Sequence, residues 1–270
     1  MSECAIPAAA DNRYNPAMQA QGLTPEQCAH MIRRAQRTMA LCGAGISTAA
    51  GIPDFRGPDG LYTSGHYDPY RAFSIEFFRQ DPKPFFDFAR EAADMIGEVG
   101  PTFTHRFLAA LESQCMLVAA VTQNIDALHQ QAGSRNVVAL HGSFATSRCL
   151  ACGREFGYEA FLERLKREDI PRCDCEAAGV IKPDVVLFGE PVRDLKQAII
   201  LAQTCDLMLV LGSSLTVHPA AGLPEMASGN VVVVNAQPVD LEAGPTRHFV
   251  LSDLDVYFRQ VAACLGITVK

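Results

Sequence analysis

The sequence predicts an α/β protein built on a doubly wound parallel sheet, with a smaller second domain assembled from insertions. Three observations carry this. Short runs rich in Val, Leu and Ile recur along the chain, helical patterns lie between several of them, and two of the intervals are too long for simple crossovers.

Residues 1–22 hold Ala, Asn, Gln and Pro without apolar periodicity and read as a loose N-terminal extension. Thr24-Pro25-Glu26-Gln27 then supplies an N-cap, a first-turn proline and a glutamine at the capping-box position, so a helix is expected from there to about Arg37. Buried parallel strands are expected at 38–42, 117–122, 136–140, 184–188, 207–211, 230–234 and 249–251, with crossover helices over 104–112 and 195–204. The interval 43–115 carries aromatic helical stretches around 75–78 and 85–95, and the interval 141–183 carries a cysteine cluster and a charged helix at 158–168. The expected division is therefore one main domain over 23–270. Its sheet core comes from 23–57, 100–142 and 183–270, and its small domain from 58–99 and 143–182.

With 49% apolar and 20% charged residues in 270, the chain has the composition of an ordinary globular protein with a sizeable core. A net charge of −7 offers no basic field for phosphate backbones, so direct nucleic-acid binding is disfavoured and basic, lysine-rich protein partners fit better. No apolar run approaches the ~20 residues of a membrane helix, and the N-terminus lacks a basic segment followed by an apolar one. A soluble cytoplasmic protein with no membrane partner is expected. Of ten cysteines, six are scattered singly, and all ten are expected to be reduced.

Gly43-Ala44-Gly45-Ile46-Ser47-Thr48 follows the first strand directly, where glycines let backbone amides approach a pyrophosphate. Thr48 stands where a dehydrogenase fingerprint has its third glycine, and no acidic ribose ligand follows at the usual interval, which argues against ordinary hydride transfer. Gly51-Ile52-Pro53-Asp54-Phe55-Arg56-Gly57 combines a carboxylate, an aromatic ring and a guanidinium between glycines, as a flap closing over a cofactor would. Thr122-Gln123-Asn124-Ile125-Asp126, His141-Gly142, Gly212-Ser213-Ser214-Leu215 and Val234-Asn235-Ala236 each end a predicted strand. Ligands of open α/β sheets lie at such ends. Turn chemistry alone explains any one of these four segments, but with the glycine loop after the first strand they make five strand ends that together point to a ligand crevice.

Cys149-x-x-Cys152 and Cys173-x-Cys175 have nearly the ribbon spacing of tetrahedral zinc, the second pair being one residue short. Four thiolates leave no open coordination position, so the metal is expected to be structural, holding a zinc-ribbon insertion too small to bury its own core.

Taken together, these motifs resemble the sirtuins, and the similarity runs from about Thr24 to Cys264. The resemblance rests on the glycine loop at 43–47, Gly-Ile-Pro-Asp-Phe-Arg-Gly at 51–57, Thr-Gln-Asn-Ile-Asp at 122–126 and His-Gly at 141–142, in the family's order. Lys182-Pro183-Asp184-Val185-Val186-Leu187-Phe188-Gly189-Glu190 looks like the family's substrate strand.

What the resemblance implies is a Rossmann-like core that holds NAD as a consumed co-substrate and an acyl-lysine protein entering between the domains. It implies His141 as general base and Asn124 as the residue ordering ribose or water, with Ile125 and Asp126 holding the carboxamide and Phe55 guarding against released nicotinamide. By the same matching, Gly43, Ala44, Gly45, Ser47, Thr48, Arg56, Gln123, Gly212, Ser213, Ser214, Asn235, Asp253 and Leu254 meet the dinucleotide. Val186, Leu187, Phe188, Gly189 and Glu190 would meet the substrate, and Cys149, Cys152, Cys173 and Cys175 the zinc. Relatives that remove succinyl or malonyl groups carry a Tyr and an Arg three positions apart on a tunnel helix. The matching positions are Ala89 and Ala92, with Arg90 nearby, so a neutral acyl group is expected. The implied products are nicotinamide, O-acyl-ADP-ribose and free lysine. Mono-ADP-ribosyl transfer at the same site, or a non-catalytic NAD- or acyl-lysine-binding module, are the alternatives.

Overall fold

The computed structural model describes residues 22–54, 60 and 68–270. In chain order the elements are α1 (Pro25–Arg34), β1 (Thr38–Cys42), α2 (Pro69–Phe73), α3 (Ile75–Gln80), α4 (Lys83–Glu98), α5 (Phe103–Ser113), β2 (Ala119–Thr122), α6 (Leu128–Gln131) and β3 (Val137–Ala139). They continue with β4 (Gly142–Cys149), β5 (Glu155–Gly157), α7 (Tyr158–Arg167), β6 (Ile181–Val185), α8 (Leu195–Thr204), β7 (Leu207–Leu211), β8 (Asn230–Asn235), β9 (Arg247–Leu251) and α9 (Leu254–Leu265).

Six strands form one parallel sheet in the order β3-β2-β1-β7-β8-β9. The first three turn one way and the last three the other, which puts the topological switch between β1 and β7. Because strand side chains alternate, each strand feeds both faces. Ala40, Cys42, Leu209 and Val232 pack with α1, α5 and α9, while Met39, Leu41, Val210 and Val233 pack with Ala198 and Ala202 of α8. Every residue of β1 and β7 is buried, as strands covered on both faces must be.

Helix α1 starts as expected, Thr24 accepting from Gln27 N while the Gln27 side chain accepts from Thr24 N. It stops at Arg34, short of Arg37, because the amides of Gln36 and Arg37 are taken by the Asp206 carboxylate across the start of β7.

The expected parallel strand at 184–188 is not part of this sheet. Residues 181–185 form β6, which pairs antiparallel with β4 in a separate sheet of order β5-β4-β6. An apolar run does not record its partner, and β4, whose exposed and buried residues alternate irregularly, gives no strand signal of its own. Residues 186–190 leave that sheet and run along the cleft described below. Phe78, Phe85, Phe86, Phe144, Phe161 and Leu165 make the small domain's core.

Candidate active site

At the switch point the chain ends of β1 and β7 touch. Gly212 has φ +58°, and a Cβ there would lie 2.5 Å from Gly45 C, so only glycine fits. Gly45 N donates to Gly212 O at 2.8 Å, closing the glycine loop onto β7. Beside this contact opens a cleft of about 450 Å³. It is lined by Gly43, Ala44, Gly45, Thr48, Gln123, Asn124, Ile125, His141, Gly212, Ser213, Ser214, Asn235, Asp253 and Leu254, and on its other wall by Val186, Leu187, Phe188, Gly189 and Glu190. A smaller cavity of about 60 Å³ adjoins it, where Ser47 and Asp126 appear with Ala44, Asn124 and Ile125. All the sequence-predicted nucleotide and substrate residues are thus together except Phe55 and Arg56, which lie outside the described residues.

The polar groups are fixed by one another. Ser47 Oγ donates to Asp126 Oδ2 at 2.7 Å, and Asn124 Nδ2 reaches Gly43 O at 3.2 Å, Ser47 Oγ at 3.1 Å and Asp126 Oδ2 at 3.3 Å. Leu128 N donates to Asp126 Oδ1 at 2.9 Å, seating that carboxylate at the start of α6. Gln123 Nε2 donates to Ser213 Oγ at 3.1 Å across the switch. On the far side, Asp253 caps α9 by accepting from Val256 N, and Asn235 Nδ2 donates to Gln237 O.

His141 sits where β3 ends, and its Nδ1 is 2.9 Å from Gln123 O. A carbonyl only accepts, so Nδ1 carries the proton and Nε2 keeps its lone pair. Burial holds the imidazole below its ordinary value, an effect the Gln123 carbonyl partly offsets. The ring is therefore neutral at pH 7, with an accepting nitrogen.

Sequence reasoning missed the apolar wall. Phe73, Phe85 and Phe88 line the cleft, with Phe73 and Phe88 edge to face at 4.7 Å. Phe85 and Phe88 have the spacing of one helix face, which reads as core and carries no sign that part of that face borders a ligand space. Val217, His218, Ala236 and Gln237 also line it, continuing the strand ends already singled out. Ala92 borders the small cavity, whereas Ala89 lies in the core beside Phe85 and Phe86. Arg90 turns away from both, donating to Leu165 O at 3.0 Å and Glu168 O at 2.7 Å at the end of α7. Among the described residues, no lysine or arginine lines either cavity.

In the small domain the sulfurs of Cys149, Cys152, Cys173 and Cys175 lie within 4.8 Å of one another. Cys149 and Cys175 are 3.8 Å apart, as are Cys152 and Cys173. A tetrahedron with metal–sulfur bonds of ~2.3 Å has edges of ~3.8 Å, so the donor set fits zinc in both chemistry and size. The shortened Cys-x-Cys pair does not spoil the geometry. The Cys152 amide, donating at 3.4 Å, favours the Cys149 thiolate.

The model of the Sir2 family matches residues 43–219. The chain is 44% identical over 207 residues to the NAD-dependent protein deacetylase of Sulfurisphaera tokodaii, covering 76% of this chain and 81% of that one. The chain belongs to the Sir2 family. It is also 42% identical to the NAD-dependent protein deacylase 2 of Archaeoglobus fulgidus, over 78% of this chain and 85% of that protein. A Sir2 structure with deacetylated p53 peptide and 3'-O-acetyl-ADP-ribose superposes with a TM-score of 0.85 at 36% identity, covering 91% of this chain and all of the other. Another, of Sir2 with p53 peptide and NAD+, gives 0.80 at 36%, over 89% of this chain and 98% of that one.

Proposed function

We propose that this Sir2-family chain is an NAD-dependent protein-lysine deacylase in which His141 is the general base. The observation that carries the assignment of the base is a neutral imidazole, its Nδ1 tied to Gln123 O, whose ring lines the same cleft as the glycine loop and the apolar wall. NAD, bound across the carboxyl edge of the sheet, supplies a ribose whose bond to nicotinamide gives way to the acyl oxygen of the substrate. His141 Nε2 accepts the proton of a ribose hydroxyl, which then takes over the acyl group, and water completes release of the lysine. Ile125 and Asp126, with Ser47 bonded to that carboxylate, hold the carboxamide end at the small cavity, Asn124 orders the ribose or water, and Ser213, Ser214, Asn235, Asp253 and Leu254 hold the rest of the dinucleotide. Phe55 and Arg56 are proposed for the flap. Phe88 and its neighbours exclude water from the reacting atoms.

A cleft without lysine or arginine among the described residues suits acetyl or a longer neutral acyl group. The four cysteines hold one zinc, which leaves no site for water and so has a structural task. No helix among the described residues is long and apolar enough to cross a membrane. None of the nine described cysteines is in a disulfide, in keeping with a reducing cytoplasm.

The test is nicotinamide release with and without an acetyl-lysine peptide, with products identified by mass spectrometry. Release that needs the peptide, yields O-acetyl-ADP-ribose and falls on the order of 10²–10⁴-fold in His141→Ala is expected. ADP-ribose attached to protein would make the chain a transferase, and no turnover would make it a binding module.

A further inference from the structure

Lysine is almost never fully buried unless it is paired, yet Lys182 in β6 is only 8% exposed. Its Nζ donates to Val185 O at 2.7 Å and to Pro183 O at 3.5 Å. It also pairs with Glu190 Oε2 at 2.9 Å. That same carboxylate oxygen accepts the Leu187 amide at 2.9 Å, and Glu190 N donates to Leu187 O at 2.9 Å. Both ends of the segment 185–190 are therefore gathered onto one buried ammonium. Glu190 borders the cleft, but its Oε2 serves its own loop.

The segment so held is the substrate wall of the cleft. Its outer side is secured, since Val186 N donates to His141 O at 2.8 Å, Phe188 N donates to Phe73 O at 2.7 Å and Phe188 O accepts from Ile75 N at 3.0 Å. Val186 O and the Gly189 amide are among the backbone groups of the segment left without a partner among the described residues. These are an acceptor and a donor of the kind an extended chain pairs with when it is laid against a strand.

We infer that Lys182 is a positioning residue for the acyl-lysine peptide, with Glu190 as its counter-ion. The pair fixes the shape of residues 186–190 so that their free backbone groups meet the substrate already ordered. The inference rests on the deacylase reading above. It places the pair outside NAD binding, because none of its contacts reaches the glycine loop or the residues at the ends of β7 and β8. Preorganisation of this kind acts on affinity, since a loop ordered in advance costs nothing to order on binding.

The experiment compares the full chain with Lys182→Met, Lys182→Arg and the double variant Lys182→Met/Glu190→Gln. Peptide Kd is read by fluorescence anisotropy of a labelled acetyl-lysine peptide, and KM for peptide and for NAD by nicotinamide release. Methionine keeps the apolar stem and loses the ammonium, so peptide Kd and KM are expected to rise about tenfold or more, the equivalent of one or two lost backbone hydrogen bonds. NAD KM should stay within about twofold, a change too small to represent a lost contact. Lys182→Arg, which keeps the charge and the donors, should restore most of the peptide affinity. Where Lys182→Met does not fold because it strands the half-buried Glu190 carboxylate, the double variant, which leaves no uncompensated charge, carries the same prediction. A folded variant with parental peptide Kd, or one in which peptide and NAD KM rise together, overturns the inference. A parent chain that releases no nicotinamide with the peptide defeats the deacylase reading itself, before any variant is compared.

Discussion

At the scale of single residues, the decisive group is His141, whose burial disfavours the imidazolium. The neutral form is the base, and the pKa lies below the ordinary 6.5. Activity is therefore expected to persist as pH falls through 6.5 and to decline only below it. A pH profile of kcat/KM with its acid limb at or above 6.5 would contradict that assignment. Gly212 sets a second, purely steric requirement. Gly212→Ala combines a positive φ with a Cβ 2.5 Å from the Gly45 carbonyl carbon. The glycine loop must then move away from β7, which takes the backbone amides out of register with any phosphate. We expect NAD affinity in calorimetry to fall by more than about tenfold and stability by about 1–3 kcal/mol in urea unfolding. A variant that binds NAD as the parent does would show that the contact is slack.

Among the elements, the zinc-bearing sheet is the one whose loss should be felt at a distance. Cys149 ends β4, Cys173 and Cys175 precede β6, and α7 packs on this sheet through Phe161 and Leu165. Arg90 of α4 then grips the carbonyls at the end of α7, and α4 also carries Phe88 and Ala92 at the cavities. Removing the metal with a chelator, or Cys152→Ser, should release one zinc per chain in a colorimetric assay and lower Tm by about 10 °C. That figure corresponds to roughly 3 kcal/mol at ~3 °C per kcal/mol. A chelated protein that melts with the parent would mean that the module is held by its apolar core alone. This sheet is also where the sequence was least legible. Strands β1, β2, β7 and β8 of the parallel sheet announce themselves because burial on both faces demands unbroken apolar runs, and α1 because Thr24 and Gln27 are a local cap. Strands β4 and β5 are half exposed and flanked by the four cysteines, so their side chains carry no period, and the apolar run at 184–188 shows no sign in sequence of which sheet it joins. Site residues at strand ends were legible because they are small or polar where a strand stops. The wall of Phe73, Phe85 and Phe88 was not, since an aromatic facing a ligand and one facing a core have the same spacing.

For the molecule as a whole, the same burial that keeps His141 neutral recurs behind the site, in a pair that lines neither the cleft nor the small cavity beside it. His105 of α5 and His129 of α6 are buried with their rings edge to face at 4.7 Å. The Thr102 amide donates to His105 Nδ1 at 3.3 Å, while both nitrogens of His129 are without partners among the described residues. Burial drives His105 down to about 2 and His129 down to about 4 from 6.5. Unfolding returns both to the ordinary value, so below pH 6.5 the unfolded chain binds protons that the folded chain refuses, and stability rises with pH through that window. This contribution is fully present above 6.5 and is lost as pH falls toward the folded values, by about 1.4 kcal/mol per pH unit for each histidine. Because His129 makes no hydrogen bond in the described structure, His129→Met removes one proton site at small packing cost. Urea unfolding of both proteins from pH 7.5 to 5.5 should give parallel behaviour above 6.5 and a parent that loses stability faster than the variant below it. Equal slopes across the whole range would mean that His129 is protonated in the folded state as readily as in the unfolded one, and that its burial is relieved by water.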